Sequence, residues 1–200
     1  MKKGKDFCII DWEDAFYWEG CPLCFLLNKA LWRIEDNFLY ELVNDTKIRD
    51  EIRKNGSFCE RHTLQLLNFK DTFGLAIVFK DIIENFIIPN ILKGNIVSSI
   101  NCFFCKKEME ILDLYISSIP KIFEDKELTL LWREKSYAFC IPHLNILRDK
   151  LPSHIWKEIK EENEKKKKKY PEYIYSSPLW DKDYSELFLK KIRIKERFKK

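Results

Sequence analysis

The sequence predicts an all-α fold from its composition and its hydrophobic pattern. Only five Gly and seven Pro occur among 200 residues, so turns are few and long regular segments must dominate, which favours helices over many short strands. Hydrophobic residues make up 46% of the chain, charged residues 34% and aromatic residues 14%, whereas disordered chains are poor in aromatic residues. We therefore expect a folded, mostly helical protein with a substantial core.

Four helices are predicted in the first half of the chain. Apolar side chains recur at intervals of three or four residues from Leu27 to Leu42, as an amphipathic helix requires. Gly56 is placed to end the second helix in a left-handed conformation, and Ser57 with Glu60 has the form of a capping box that starts the third. The four predicted helices cover residues 24–43, 45–53, 58–68 and 71–88.

The second half is expected to repeat this plan after a break near residue 95. Helices are predicted over residues 102–118, 126–135 and 139–151, the last of these capped by Ser136. A final helix opens at Ser153 and is expected to dissolve into the lysine run 165–169. The predicted organisation is two halves packed as one body with a basic C-terminal extension, namely residues 1–95, 96–164 and 165–200.

No export signal or membrane span is expected. Asp11 interrupts the apolar stretch that precedes it too early for a secretion signal. The most apolar region, residues 73–92, carries charged side chains at helical spacing that would be costly in lipid, so we expect a core helix there. Seven Cys, an odd number grouped with His, suit metal binding in a reducing compartment better than a disulfide framework. The expected location is the cytoplasm.

Two short motifs, CxxC and CxxH, each occur twice at matched spacing. In both copies 35 positions separate the last Cys of CxxC from the Cys of CxxH, and a single offset of 81 residues superposes all eight motif residues. Chance rarely places six of seven Cys and two of three His in one pattern. The motif residues are Cys21, Cys24, Cys59 and His62 in the first copy, and Cys102, Cys105, Cys140 and His143 in the second.

This pattern predicts two Cys3His metal sites, with Zn²⁺ as the expected ion at two per chain. Two residues separated by two others, at a turn or a helix start, can both face one ion, and two such pairs complete a tetrahedron. Three thiolates and one imidazole are ligands that suit Zn²⁺. Four protein ligands leave no open position for water, so structural sites are expected and catalytic ones are not.

Other interpretations of the same residues stay open. They can be ordinary buried groups, although such groups need no common period. The first CxxC, CPLC, resembles an oxidoreductase motif, but the βαβ context of thioredoxin-like proteins is missing. Three Cys and one His can also hold an iron-sulfur cluster. Cys8 has no counterpart in the second half and is expected to be a buried or free thiol.

The pairing of the motifs is also open. The CxxC of one half can join the CxxH of its own half or that of the other half. We favour pairing within each half, because a 34-residue loop of about two helices can return the chain to its start. Crossed sites are expected to need an intertwined duplication.

Several segments carry a family resemblance. They are Cys21–Cys24 (CPLC), Ser57–His62 (SFCERH), Phe139–His143 (FCIPH), Phe73–Ala76 (FGLA) and the aromatic tail near Trp180. Together they resemble the prokaryotic domain of unknown function 6062 family over most of the chain. Ser57 stands where that family is expected to have Gly, and the second CxxC lacks Pro, but neither departure removes a ligand. The resemblance implies a duplicated Cys/His protein and no particular activity.

The expected function is that of a non-enzymatic protein whose metal sites hold helices in a rigid surface for another protein or a second copy of the chain. No nucleophile with a base, phosphate loop or spaced carboxylate pair points to an enzyme or to a small-molecule substrate. One alternative is a redox or metal-sensing protein with a thiolate switch or an iron-sulfur cluster. The other is nucleic-acid binding through the basic C-terminal region, although no recognised module is visible.

Overall fold

The computed structural model describes residues 7–95 and 101–169, and every regular element in these residues is helical. The predicted all-α class is therefore confirmed. The first half contains α1 (Phe7–Phe16), α2 (Pro22–Asn37), α3 (Thr46–Lys54), α4 (Glu60–Asn68), α5 (Thr72–Ile82) and α6 (Ile88–Leu92). The second half contains α7 (Phe103–Glu124), α8 (Lys126–Lys135), α9 (Ile141–Lys150) and α10 (Ser153–Lys169).

Two π-helical segments extend this pattern. Phe38–Leu42 continues α2, so the helix predicted over residues 24–43 is present with slightly earlier bounds. Ile83–Ile87 joins α5 to α6 through helical backbone angles, which carries the helix past the predicted end at residue 88. Helix α1 was missed because the N-terminal arm lacks a clear helical period.

The turn between α3 and α4 confirms one prediction and corrects another. Asp45 caps α3 by accepting hydrogen bonds from two backbone N–H groups, and Gly56 has a φ of 86°, the left-handed conformation predicted for it. The predicted capping box at Ser57 and Glu60 is wrong. Ser57 also has a positive φ, of 90°, and Cys59 is the N-cap of α4. Ser57 lies within the turn and before the cap, so it does not begin the helix.

The second half shows similar shifts at the helix ends. Helix α7 continues six residues beyond the predicted end at Ser118, and Cys140 caps α9 where Ser136 was predicted to do so. Helix α10 does not dissolve at the lysine run, because it continues through Lys169. Lys166 within that run is buried, and its Nζ donates to the backbone oxygen of Trp132 at 2.6 Å. The remainder of the predicted extension, residues 170–200, lies outside the described residues.

The starts of the helices recur at the offset of the motifs. Helices α2, α4 and α5 begin at residues 22, 60 and 72, and α7, α9 and α10 begin at residues 103, 141 and 153. Each pair differs by 81 residues. The elements that follow the motifs are therefore spaced as regularly as the motifs themselves.

The described residues form two compact units, and each unit combines segments from both predicted halves. Unit 1 comprises residues 7–30 and 110–169, and unit 2 comprises residues 31–95 and 101–109. The unit boundaries fall inside α2 and α7. No described helix is both long enough and apolar enough to cross a bilayer.

Unit 1 has a buried polar network beside its apolar core. Lys29 on α2 is buried and pairs with Asp11 at 2.5 Å and with Asp14 at 3.0 Å, both on α1. The hydroxyl of Tyr115 on α7 donates to Asp11 at 2.9 Å. A buried charge is tolerated only when it is paired, so these contacts fix α1 against α2 and α7. The largest fully buried side chains here are Trp12, Phe16, Leu23, Leu26, Ile119, Ile122, Leu147 and Ile159.

Unit 2 is built around a cluster of phenylalanine rings. Phe38 meets Phe58 and Phe104 edge to face, with ring centroids 6.0 and 5.3 Å apart. Arg53 on α3 donates to both carboxylate oxygens of Asp81 on α5, at 2.7 and 2.8 Å. Only one face of the predicted core helix at 73–92 is buried here, because several of its isoleucines are exposed on the other face.

Candidate metal centres

All eight predicted ligands lie in two groups. Cys21, Cys24, Cys140 and His143 form site 1, in unit 1, and Cys59, His62, Cys102 and Cys105 form site 2, in unit 2. In each group one ligand atom of every residue lies within 4.8 Å of the others. Cys8 belongs to neither group.

The preferred pairing within each half is wrong. The CxxC of each half meets the CxxH of the other half. The two sites are nested along the chain and do not require intertwining: site 2 closes residues 59–105, and site 1 closes residues 21–143 around them. Because the entropic cost of closing a loop grows only with the logarithm of its length, the longer loop of site 1 costs little more to close than the loop of site 2.

Helix lengths disfavour closure of each half on itself. Helix α2 with its π-helical continuation carries the chain roughly 30 Å beyond Cys24, at about 1.5 Å per residue. Helix α3, with 9 residues, can cover only about half of that distance on the way back. The second half repeats this geometry with a 22-residue α7 and a 10-residue α8. The short helix alone therefore does not return the CxxH of each half to its own CxxC.

Helix N-termini position the ligands. Cys21 and Cys102 directly precede α2 and α7, while Cys59 and Cys140 are the N-caps of α4 and α9. The backbone oxygen of each of these four cysteines accepts a hydrogen bond from the N–H four residues later. The second residue of each motif then falls in the first helical turn, on the same side as the first. Each site is thus the meeting point of two helix N-termini, whose partial positive charge favours thiolates.

Site 1 is closed to solvent. All four of its residues are buried. The Nδ1 atom of His143 lies 3.4 Å from the sulfur of Cys21, 3.3 Å from that of Cys24 and 3.1 Å from that of Cys140. The sulfurs of Cys24 and Cys140 are 3.7 Å apart.

Site 2 has nearly the same geometry but is partly open. The Nδ1 atom of His62 lies 3.2 Å from the sulfur of Cys59 and 3.4 Å from those of Cys102 and Cys105. The sulfurs of Cys59 and Cys105 are 3.6 Å apart. His62 and Cys102 are buried, whereas Cys59 and Cys105 are half-buried. Solvent therefore reaches two of the four ligands.

These distances fit one tetrahedral ion in each site. With Zn–S near 2.3 Å and Zn–N near 2.0–2.1 Å, a regular tetrahedron has edges of about 3.8 Å between sulfurs and about 3.6 Å between sulfur and nitrogen. The observed S···S separations are 3.7 and 3.6 Å, and the S···N separations are 3.1 to 3.4 Å. Small outward shifts of the imidazoles complete the fit. The residues present can therefore hold a metal ion.

The charge around site 2 is partly compensated. Three thiolates and a divalent ion leave a net charge of −1. Arg61 pairs with Glu108, with one contact at 3.0 Å, and also hydrogen-bonds the Cys105 thiol. Arg61 is thus a cation beside the thiols, while Lys106 pairs with Glu51 at 3.1 Å.

The two histidines experience opposite electrostatic environments. Burial alone lowers the pKa of His143, but hydrogen bonds to Cys140 and Cys21 and their negative charge outweigh it and raise that pKa to about 10. Burial, assisted by the positive charge of Arg61, lowers the pKa of His62 to about 4. The thiolates of site 1 thus favour positive charge at its centre, whereas His62 is held in the neutral form that binds metals.

Glu35 is a buried group near site 2 that sequence reasoning missed. It is only 3% exposed, and its Oε1 accepts no hydrogen bond from the described residues. Burial raises its pKa to about 8; Arg61 opposes this effect, and Glu108 and Cys59 add to it. The sequence does indicate that Glu35 is buried, because it lies on the apolar face of α2, four residues after Leu31.

Fold and site together define a class: an all-α protein with two Cys3His groups that can each hold a metal ion. The model of the family of unknown function DUF6062 matches residues 1–93. A relative from Caldicellulosiruptor sp. (strain Rt8B.4), an uncharacterized 23.9 kDa protein in xynA 3'region, is 32% identical over 148 residues, or 70% of this chain and 71% of the relative. The chain belongs to this family. No solved structure matches it.

The family model covers only the first CxxC and the first CxxH, since it ends at residue 93. The resemblance drawn from the motifs is confirmed. Site 2 draws one motif from within this matched region and one from beyond it, and so does site 1.

Proposed function

We propose that this protein binds two Zn²⁺ ions in structural sites and acts as a non-enzymatic helical scaffold for protein interaction or regulation. One observation carries the proposal: helix N-termini meet in pairs, and each pair brings three thiols and one imidazole to tetrahedral distances. A site of this kind ties two helices together. It has no free coordination position at which a substrate can bind.

The spacing supports a single ion over an iron-sulfur cluster. The four donor atoms of each site lie within 4.8 Å of one another. Ligands of a multi-iron cluster surround a core of several iron and sulfide atoms, so their donor atoms must be spread more widely. Among single ions, a tetrahedral set of three sulfurs and one nitrogen favours zinc.

A structural role has a large energetic consequence. Structural zinc contributes on the order of 10 kcal/mol to folding, which is comparable to the whole stability of a typical domain. Site 1 joins segments more than 100 residues apart in sequence, so a metal ion bound there holds a long loop of the chain closed. We also infer that the chain is a duplicated unit working in a reducing compartment such as the cytoplasm, because six of its seven cysteines are grouped with histidines as in metal sites.

Elemental mass spectrometry of protein purified without oxygen tests the proposal. Two zinc ions per chain are expected, falling to about one in Cys59→Ser and in Cys140→Ser. The matched control is Cys8→Ser, which lies outside both sites and should retain two. Zinc removal by a chelator should abolish the helical circular-dichroism signal. Iron with visible colour, or full helicity after complete zinc removal, would contradict the structural role.

The partial exposure of Cys59 and Cys105 favours one second candidate, a sensor that releases metal from site 2 on oxidation. Thiolates that solvent reaches oxidise faster than buried ones. Mild peroxide should then release one zinc ion per chain and form a disulfide within site 2. Simultaneous release from both sites, or from neither, would exclude this candidate.

A further inference from the structure

One face of the helix formed by α5, its π-helical continuation and α6 is apolar and exposed. This face, called here the α5–α6 stripe, lies entirely in unit 2. Phe73 is 76% exposed and Ile91 is 67% exposed. The helical backbone is continuous from α5 to α6, so the stripe is roughly 30 Å long. Its members are Phe73, Ala76, Lys80, Ile83, Glu84, Ile87, Ile88 and Ile91, with Ile77 half-buried at its edge.

The opposite face already supplies the core of unit 2. Leu75, Val78 and Ile82 are buried there. The helix is therefore apolar nearly all round, which is the pattern of a helix buried on every side. Large exposed apolar patches on soluble proteins mark interaction sites. The stripe lacks a covering surface within the described residues, since most of its isoleucines are exposed.

The order of residues along the stripe is complementary to itself. Residue 82 is the centre of this order, and each position before it is paired with the position at the same distance after it. Phe73 is then paired with Ile91, and Ile77 with Ile87. The same operation pairs small Ala76 with large Ile88. It also pairs Lys80 with Glu84, the two charged members of the stripe. A two-fold axis through an antiparallel helix pair performs this operation on two identical chains.

We propose that two copies of this chain pair through the α5–α6 stripe, with the helices antiparallel and the two-fold axis near residue 82. This inference deepens the interaction role proposed above and rests on it, since it names a second copy as the partner. In the pair, Lys80 of each copy faces Glu84 of the other, and apolar side chains flank these two ion pairs. A different protein would require no such self-complementarity.

Charge complementarity makes the pairing specific. Within one chain Lys80 and Glu84 are 4.0 Å apart and largely exposed, where an ion pair contributes little. Between apolar flanks they lose water, and a charge buried without its partner is strongly unfavourable. Reversing one charge therefore places like charges opposite each other twice in the pair.

Light scattering after size-exclusion chromatography tests the pairing on the full, zinc-loaded chain. Wild-type protein should have twice the chain mass of 24.2 kDa. Lys80→Glu and Glu84→Lys should each weaken the dimer at least about tenfold, and Ile87→Glu should give monomers. The double variant Lys80→Glu/Glu84→Lys should restore the dimer, because the reversed charges again face each other. Mixing the two single variants should produce a heterodimer for the same reason.

The control is Leu64→Glu, which places a charge on an exposed leucine of α4 outside the stripe and should leave the dimer intact. Zinc content is measured in each variant. A variant that is monomeric but retains two zinc ions has lost only the dimer contact. A variant that has lost zinc has lost the metal sites of the proposed scaffold. A monomeric wild type at millimolar concentration, or a dimer unaffected by Ile87→Glu, would overturn the proposal and leave the stripe to another partner.

Discussion

At the scale of single residues, Ser57 occupies a backbone conformation that its side chain disfavours. Its φ of 90° follows the φ of 86° at Gly56, so the turn between α3 and α4 uses two successive left-handed residues. Glycine adopts this region without steric cost, whereas other residues pay of order 1 kcal/mol or more. The family resemblance led us to expect glycine here, and the turn supplies the physical reason.

Ser57→Gly should therefore stabilise the protein by up to about 1 kcal/mol, because relief of backbone strain exceeds the added flexibility of the unfolded chain. Urea denaturation of zinc-loaded protein measures the change. Ser117→Gly is the matched control, since Ser117 lies within α7, and it should destabilise by roughly 0.5–1 kcal/mol. Equal losses in both variants would show that Ser57 is not strained.

Glu35 gives the protein a pH dependence. Its folded-state pKa of about 8 lies above the value near 4.3 of an unperturbed Glu, so the folded state holds the proton more tightly than the unfolded state does. The protonated Glu35 side chain therefore contributes favourably to the free energy of unfolding. This contribution is complete below the pKa of the unfolded state and is lost as pH rises toward 8.

Glu35→Gln should therefore be more stable than wild type above neutral pH and should show a flatter profile of melting temperature between pH 6 and about 8.5. Melting curves of zinc-loaded protein across this range provide the measurement. The control is Glu161→Gln, an exposed position on α10, which should follow the wild-type profile. A Glu35→Gln profile parallel to that of wild type would refute the assignment.

At the scale of elements, the C-terminal end of α8 depends on a lysine from α10. Lys166 is buried, donates to the backbone oxygen of Trp132 and lies 4.6 Å from the centre of its indole ring. The Trp132 carbonyl oxygen accepts the backbone N–H of Ser136 at 3.2 Å, and Lys166 is its second donor. Within the basic run, this side chain is therefore used in packing and is not available for nucleic acid.

Lys166→Met keeps an unbranched side chain but removes one of the two donors to the Trp132 carbonyl oxygen, which should cost about 0.5–1.5 kcal/mol. Thermal unfolding of the zinc-loaded protein measures this loss. Lys165→Met, one residue earlier and exposed, should change stability by less than about 0.5 kcal/mol. Similar melting temperatures for the two variants would show that Lys166 does not anchor α8.

Sequence periodicity predicted most helices because their buried faces follow the helical period, and the motif spacing identified all eight residues of the two Cys3His groups. Helix ends were less predictable. The capping box at Ser57 failed because left-handed backbone at two successive residues leaves no local sequence pattern beyond Gly56. The lysine run was expected to end the last helix, since its charge gives no sign that Lys166 is buried beside Trp132.

At the scale of the whole molecule, the pairing of motifs escaped prediction because it depends on path length. Sequence separation favoured closure within each half, but a helix is a rigid rod whose length is set by its residue count. A short helix retraces only part of the long helix that precedes it. The two halves exchange their CxxH motifs, and each compact unit contains segments from both.

The crossed pairing makes a prediction that single variants cannot test. Cys24→Ser/Cys140→Ser removes two ligands from site 1 alone, so the chain should keep one zinc ion. Cys24→Ser/Cys59→Ser removes one ligand from each site, so tightly bound zinc should fall toward zero. Pairing within halves requires the opposite pattern. Zinc content is counted after a chelator has removed weakly held ions.

Cys59→Ser/Cys105→Ser is the companion variant, because both residues belong to site 2 and are half-buried, so it should keep one zinc ion with less disturbance of the fold. Circular dichroism recorded on each variant separates loss of ligands from general unfolding. One zinc ion retained by both within-site variants, with neither site filled in Cys24→Ser/Cys59→Ser, requires that each metal ion join the first half of the chain to the second. Each metal ion would then close a loop that spans both halves, and neither half would be expected to fold alone.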